Sequence, residues 1–346
     1  MRGDPDDPVS RGYVCPKVVA MQDLHEDPDR LRRPVVRDPG SSALREVSWE
    51  EALARAADGL RRVRRTHGKD ALAIYQGNPT VHNLGLMTVG QVAFWTLGTR
   101  SRFSASSADQ VPHMRAAHDM FGHMLLIPVP DIDRTDLWLI VGANPVVSNG
   151  SLMTAPDVRR RIRALKERGG RVVVVDPRRT ETAELAGEHV FLRPGTDALF
   201  FFALLHVVFA ERLTAPAHLR AMLAGLPELE RLAARFSPER VSATIGVAPD
   251  VVRGLARSFA TAPRAACYVR VGTCHQEHGT LASWLAYALA AVTGNLDREG
   301  GLMWTSPAVD LARLADAAGM SGHGRFASRV RRLPETGGEL PVAALA

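Results

Sequence analysis

A chain of 346 residues with 46% apolar side chains, 23% charged ones and a formal net charge of +6 is too long for one ordinary core and too apolar for wholesale disorder. Three cysteines exclude a disulfide framework and point to a reducing, cytoplasmic setting. The most apolar run, ALFFFALLHVVFA at 198–210, carries a histidine and is too short to cross a bilayer, so it reads as a buried helix and no membrane span is expected.

Residues 1–40, rich in Pro, Asp and Arg without periodicity, read as loop or extended chain. Ser48-Trp49-Glu50-Glu51 is a capping box. Leu53, Ala56, Ala57, Leu60 and Val63 give the helix that follows an apolar stripe, and Gly68 stops it. ALAIY (71–75) reads as a short buried strand ending in QGNP, 81–97 as an apolar helix, and TRSRFSASSADQVPH (99–113) as a polar loop of small residues. LWLIV (137–141) is a strand and GANPVVSNGS (142–151) a turn-rich loop. Val158, Ile162 and Leu165 then mark a helix that ends at Gly169-Gly170, and RVVVVD (171–176) is a second strand, completing a βαβ unit. HVFLRPG (189–195) is a third strand before a helix from Thr196. Residues 217–262 read as helices. ACYVRVG (266–272) is a further strand, followed by the loop TCHQEHG and a helix over 280–292. TGNLDREGG (293–301) is a glycine-rich turn, and the final 30 residues read as weakly ordered. The fold class is α/β.

In open α/β sheets ligands bind beyond the carboxyl ends of the strands. That rule singles out five loops: Gly77-Asn78-Pro79, Gly142 to Ser148, Asp176 to Thr180, Arg193 to Asp197 and Gly272 to His275. Glycines let backbone amides approach phosphate, a strand-end Asp accepts from ribose hydroxyls, and Arg and Thr hold phosphate oxygens. Any one of these loops is more often a plain turn. Five on one sheet edge argue for a nucleotide-like ligand, and the missing G-x-G-x-x-G fingerprint disfavours a nicotinamide dehydrogenase. The excess arginine lies in runs such as RRVRR (61–65) and RRRIR (159–163), where solvation accounts for most of it, and no aromatic-interleaved basic patch argues for nucleic acid.

VDPRRTETA (175–183), with GANPVVSNGS, RPGTDA (193–198) and TGNLDREGG, resembles the molybdopterin oxidoreductases of the dimethyl-sulfoxide-reductase superfamily, among them formate dehydrogenases, nitrate reductases and polysulfide or thiosulfate reductases. The likeness runs in order from residue 1 to about residue 305 and more loosely over 306–346. It implies two α/β lobes, one inserted in the other: a remnant of a [4Fe–4S] domain at 1–40, a first lobe at 41–130 plus 280–346, and an inserted nucleotide-binding-like domain at 131–279. It also implies a bis(molybdopterin guanine dinucleotide) complex of molybdenum or tungsten. Carried over by position, Gly142, Asn144 and Ser148 lie along the phosphates of one guanine dinucleotide. Asp176, Arg178 and Thr180 take its ribose and neighbouring polar groups, and Gly195 and Asp197 its guanine edge. Gly272 and His275 face the pterin, Gly77 and Asn78 sit near the metal, and Asn295 joins the cofactor-binding set.

The resemblance places the protein's metal ligand in SASSADQVPH (104–113), which holds no cysteine. Asp109 fits the slot best through its D-Q-x-P spacing, and Ser107 is the alternative. Either is a hard oxygen ligand suited to a high-valent metal. His113 and His118 stand nearby as proton relays or as ordinary structural histidines. RGDPDDPVSRGYVCPKV (2–18) is similar to the stretch carrying the fourth cysteine of the family's [4Fe–4S] site. Cys15 is then that ligand and Lys17 the lysine between cluster and pterin, with Asp7 and Val18 departing from the usual His and Gly. Four thiolates hold such a cluster. Cys267 and Cys274, in a buried strand and a pterin-facing loop, are poor substitutes for the other three. Either the coding start lies upstream, with an internal GTG read as Met1, or the gene is cut. The resemblance thus implies a partial catalytic subunit doing two-electron redox on a small oxyanion or similar small molecule, with an electron-transfer subunit as possible partner. The alternative is a non-catalytic remnant that at most holds part of the pterin cofactor. Gln110, where formate dehydrogenases usually carry His, disfavours formate.

Overall fold

The computed structural model describes residues 2–345 except Thr154 and Met320. The chain divides into two compact units, one of residues 3–13 and 109–321, the other of residues 14–108 with the chain from Gly322 onward.

The larger unit is built on a parallel sheet. Its strands are β1 (Leu137–Val141), β2 (Arg171–Val175), β3 (Glu188–Val190) and β4 (Ala265–Val269), in the order β3-β2-β1-β4. β1, β2 and β4 are apolar at almost every position because both faces are covered. Alternation splits each strand between two cores. Leu137, Leu139, Val141, Val173, Val175 and Cys267 face one of them. Trp138, Ile140, Val172, Val174, Ala266 and Tyr268 face the other. Among its helices are α1 (Val111–Phe121), α2 (Val158–Glu167), α3 (Glu181–Ala186), α4 (Asp197–Ala210), α5 (Pro249–Thr261) and α6 (Gly279–Val292). α1, α2 and α3 lie on the Trp138 face; α4 and α5 lie on the Leu139 face. α4 is apolar all round, and Phe200, Phe201, Leu204 and Leu205 are fully buried. Caps start the amphipathic helices: Arg160 N–H donates to Asp157 Oδ1 at α2, and Ala183 N–H to Thr180 Oγ1 at α3.

The α/β class is as expected. α6 packs inside the sheet unit, sending Leu285 and Leu289 into one core and Tyr287 and Ala290 into the other. A helix buried on nearly every side has to sit where two cores meet.

In the smaller unit the helix Trp49–His67 begins at Ser48, whose Oγ accepts from Glu51 N–H at 3.2 Å, and Gly68 ends it. Strands Ile74–Gln76 and Arg102–Ser104 pair in parallel. The second of these falls in a stretch expected to be loop, since Phe103 is its only large apolar residue. Leu340 N–H donates to Arg102 O at 2.8 Å, so the C-terminal segment returns to this strand. The final residues are also more ordered than expected. His323–Ala327 pairs with Pro334–Thr336, and the fully buried Glu335 accepts from the guanidinium of Arg325 and from Gly338 N–H. Two short helices, Pro16–Val19 and Met21–Glu26, occupy part of the expected N-terminal loop. Among the described residues no helix is long and apolar enough to cross a membrane.

Phe200→Ala is expected to cost about 3–5 kcal/mol in urea unfolding, whereas Leu53→Ala should change stability by about 0.5 kcal/mol or less. Leu53 is 62% exposed although it lies on the apolar stripe of its helix. Equal costs at the two positions would contradict this distribution of the core.

Candidate functional site

The chain leaves β1 for β2 and β3, then crosses back to place β4 on the other side of β1. The carboxyl ends of β1 and β4 therefore flank a topological switch point. Two glycines meet there. Gly272 N–H donates to Gly142 O at 2.9 Å. A Cβ on Gly142, whose φ is +59°, would stand 2.6 Å from Thr273 N, and a Cβ on Gly272 would stand 2.8 Å from Gly142 O. Thr273 Oγ1 donates to Val141 O at 3.2 Å, tying the two strand ends together.

Beyond this contact lies a cleft of about 180 Å³. Gly142, Asp176, Gly195, Asp197, Gly272 and His275 all line it, so six of the expected cofactor residues come together, and Arg193 and Gln276 complete the wall. Asp197 is 7% exposed and accepts from Gln276 Nε2 at 2.6 Å. Burial pushes its carboxyl above the ordinary value, the Gln276 hydrogen bond opposes that, and the charge of Asp176 adds to it. Burial also raises Asp176, opposed first by Arg178 N–H, which donates to Asp176 Oδ1 at 2.8 Å. Gln276 Oε1 is buried with no partner. Gly195 has φ +79° and open space where a Cβ would stand. Two half-desolvated carboxylates and an orphaned carbonyl make a wall of acceptors. They suit a ligand edge rich in N–H and O–H donors, as a guanine and a ribose present, and the glycines leave room for backbone approach.

Other expected residues have different duties. Asn144 donates to Glu181 Oε2 and accepts from Thr182 Oγ1, which shapes the loop after β1. Thr180 is spent capping α3. Ser148 is exposed, and the Arg178 guanidinium lies 3.4 Å from Glu181. Asn295 is not brought to the cleft. Its Oδ1 accepts from Ala265 N–H, the first residue of β4, which puts it at the amino edge of the sheet. Gly77 and Asn78 follow the strand Ile74–Gln76 in the smaller unit, and Asn78 Nδ2 lies 3.4 Å from His82 Nε2. A wider hollow of about 360 Å³ over Asp119, Glu277 and Trp284 gathers none of the expected residues.

Asp109 is half-buried, its carboxyl raised by burial and held back by the charges of Arg270 and His275, and Gln110 N–H bonds to it. It therefore stands within electrostatic reach of Arg270, the residue that follows β4. Ser107 is engaged: its Oγ donates to Ser104 O and accepts from Val342 N–H. Gln276 lines the cleft without being among the expected residues, and the only signal for it was its place beside His275. The described residues do not fit an iron–sulfur cluster. The free thiols are Cys15, half-buried before the Pro16–Val19 helix, and the buried Cys267 and Cys274, and no group of three or more His, Cys, Asp or Glu is placed to hold a metal. Lys17 is exposed.

The profile described as molybdopterin oxidoreductase matches residues 30–330, and the chain belongs to this family, within the dimethyl-sulfoxide-reductase superfamily. Formate dehydrogenase H of Escherichia coli is 28% identical over 84% of this chain and 40% of its own length. The assimilatory nitrate reductase catalytic subunit of Bacillus subtilis is 26% identical over 85% of this chain and 40% of its own. Among solved structures, acetylene hydratase from Pelobacter acetylenicus superposes with a TM-score of 0.72 at 22% identity, over 87% of this chain and 40% of that one, which shows the shared fold. The chain thus spans less than half the length of these relatives. The family implies a molybdenum–pterin cofactor.

The raised carboxyl of Asp197 has a pH signature. The folded chain holds that proton more tightly than the unfolded chain, whose value is near 3.8, so the residue's contribution to stability falls as pH rises from there through the folded value. The unfolding free energy of the wild type minus that of Asp197→Asn is expected to decline as pH rises above about 4. A flat difference in urea titrations across that range would contradict a desolvated carboxylate at this position.

Proposed function

We propose that this chain is part of the catalytic subunit of a bis(molybdopterin guanine dinucleotide) molybdenum oxidoreductase that carries out two-electron redox on a small oxyanion. The convergence of six expected residues on one acceptor-lined cleft carries this reading. Asp197, fixed by Gln276, binds the guanine edge, and Asp176 binds ribose hydroxyls. The backbone at Gly142 and Gly272 lets phosphate and pterin groups come close. Gly195 leaves the mouth open for the base. When bound, the cofactor supplies the two-electron chemistry. Asp109 is the protein's oxygen ligand to the metal, preferred to Ser107 because the latter's hydroxyl already holds two backbone groups. Reduction of such a substrate consumes two electrons and two protons and releases one oxygen as water. A separate electron-transfer subunit would deliver the electrons. A second reading is a pterin-binding chain without turnover, since the free thiols Cys15, Cys267 and Cys274 are not gathered into a metal site among the described residues.

The test is expression in a host that makes the cofactor, followed by measurement of molybdenum and of guanosine monophosphate released by acid. Both are expected, and Asp197→Asn should weaken retention of the nucleotide by roughly 10- to 100-fold, the worth of a hydrogen bond to a charged group. Protein carrying neither molybdenum nor the nucleotide would overturn the proposal, and nucleotide without any oxyanion turnover would select the second reading.

A further inference from the structure

We propose that the helix Trp49–His67 is the contact of a two-fold symmetric dimer, in which it pairs antiparallel with the same helix of a second copy of this chain. Trp49, Leu53, Ala56, Leu60, Val63 and His67 follow one another at intervals of four, three, four, three and four residues, the spacing of a coiled-coil seam. The described residues leave this seam uncovered. No residue of the helix is buried, and Trp49, Leu53 and Leu60 are 64%, 62% and 42% exposed. The helix is already formed, capped by Ser48 and ended by Gly68, so a partner can take its apolar stripe without a folding cost.

The charges along the helix say which partner. Glu50 and Glu51 stand in its first turn, and Arg61, Arg62, Arg64 and Arg65 crowd its other end. A parallel pairing sets arginines beside arginines. An antiparallel pairing sets each acidic end against a basic one and opposes the two helix dipoles. The seam then fixes the register. Leu53 meets the partner's Val63, Ala56 meets the partner's Leu60, and Trp49 meets the partner's His67, each contact occurring twice about the two-fold axis. Glu50 directly follows Trp49 and Arg64 directly follows Val63, so both lie on the same flank of the seam. In this register Glu50 faces the partner's Arg64, again twice. Both side chains are exposed. Glu50 takes a hydrogen bond from Ser48 and has acceptor capacity left, and Arg64 holds no carboxylate among the described residues. Near the axis the flanks carry only Ala57 and Gly59, and open space stands where a Cβ on Gly59 would be, so the two backbones can come close. Asp58, Arg62 and Arg65 lie on the opposite face, away from the partner.

The experiment is sedimentation equilibrium of the purified chain from about 1 to about 300 µM, the range in which a small interface associates. The mass is expected to rise from the 37.6 kDa of one chain toward twice that value. Below that range the chain is a single copy, and Leu53 is a surface residue whose truncation leaves unfolding in urea unchanged. Leu53→Asp should keep the chain monomeric throughout. Glu50→Arg and Arg64→Glu each make both symmetric pairs repulsive and should weaken association by roughly 10-fold. Mixed in equal amounts, these two variants are expected to pair with each other as tightly as the wild type pairs with itself, because each supplies the charge that the other lacks. Circular dichroism checks that every variant keeps its helix. Should Glu50→Arg unravel the first turn, Arg64→Glu decides in its place, with a loss that added salt largely removes. A wild type that stays at 37.6 kDa over the whole range overturns the proposal, and so does a dimer that Leu53→Asp and Arg64→Glu form as readily as the wild type.

Discussion

The contact between Gly142 and Gly272 is the constraint on which the rest of the site depends. It joins the two strands whose chain directions diverge, and it does so by backbone alone, with Gly272 N–H on Gly142 O and no room for a Cβ on either residue. Because the loops meet this closely, Thr273 can reach Val141 O and Gln276 can reach both Thr273 O and Asp197. The orientation of the Asp197 carboxylate is thus set by a chain of hydrogen bonds that begins at a glycine. A side chain at either glycine would open the switch point and release the residues that wall the cleft.

The cleft is acidic within a basic chain. Asp176 and Asp197 face one small volume, the charge of Asp176 adds to the cost of ionising Asp197, and the first hydrogen bonds that oppose burial come from a backbone amide and a neutral carboxamide. An arginine partner would neutralise the carboxylates and occupy the acceptors. Leaving them underpaired costs stability and keeps them able to discriminate a ligand by its donors, as buried polar groups in recognition sites do. The Arg171–Glu188 pair shows the other choice: the guanidinium holds both carboxylate oxygens and also donates to Ser258 Oγ, joining β2 to β3 and to α5 away from the cleft.

The sheet was legible because parallel strands buried on both faces cannot avoid being apolar throughout, as LWLIV and RVVVV are. The loops after them were legible as ligand sites because glycine and aspartate at a strand end have few other uses. What failed has equally physical causes. Arg102–Ser104 pairs through its backbone, which the side chains RFS do not announce. Asn144 and Thr180 look like ligand residues because the groups that cap helices and brace loops are the same short polar side chains. Asn295 sits in a glycine-rich turn that resembles the others, but its bond to Ala265 N–H belongs to the opposite edge of the sheet.

Asp109 and Arg270 take opposite parts at one place. A carboxylate beside a guanidinium is ordinarily a closed pair, with little left for a ligand. Here burial raises the Asp109 carboxyl while Arg270 and His275 pull it back, so it is neither fully shielded nor fully claimed.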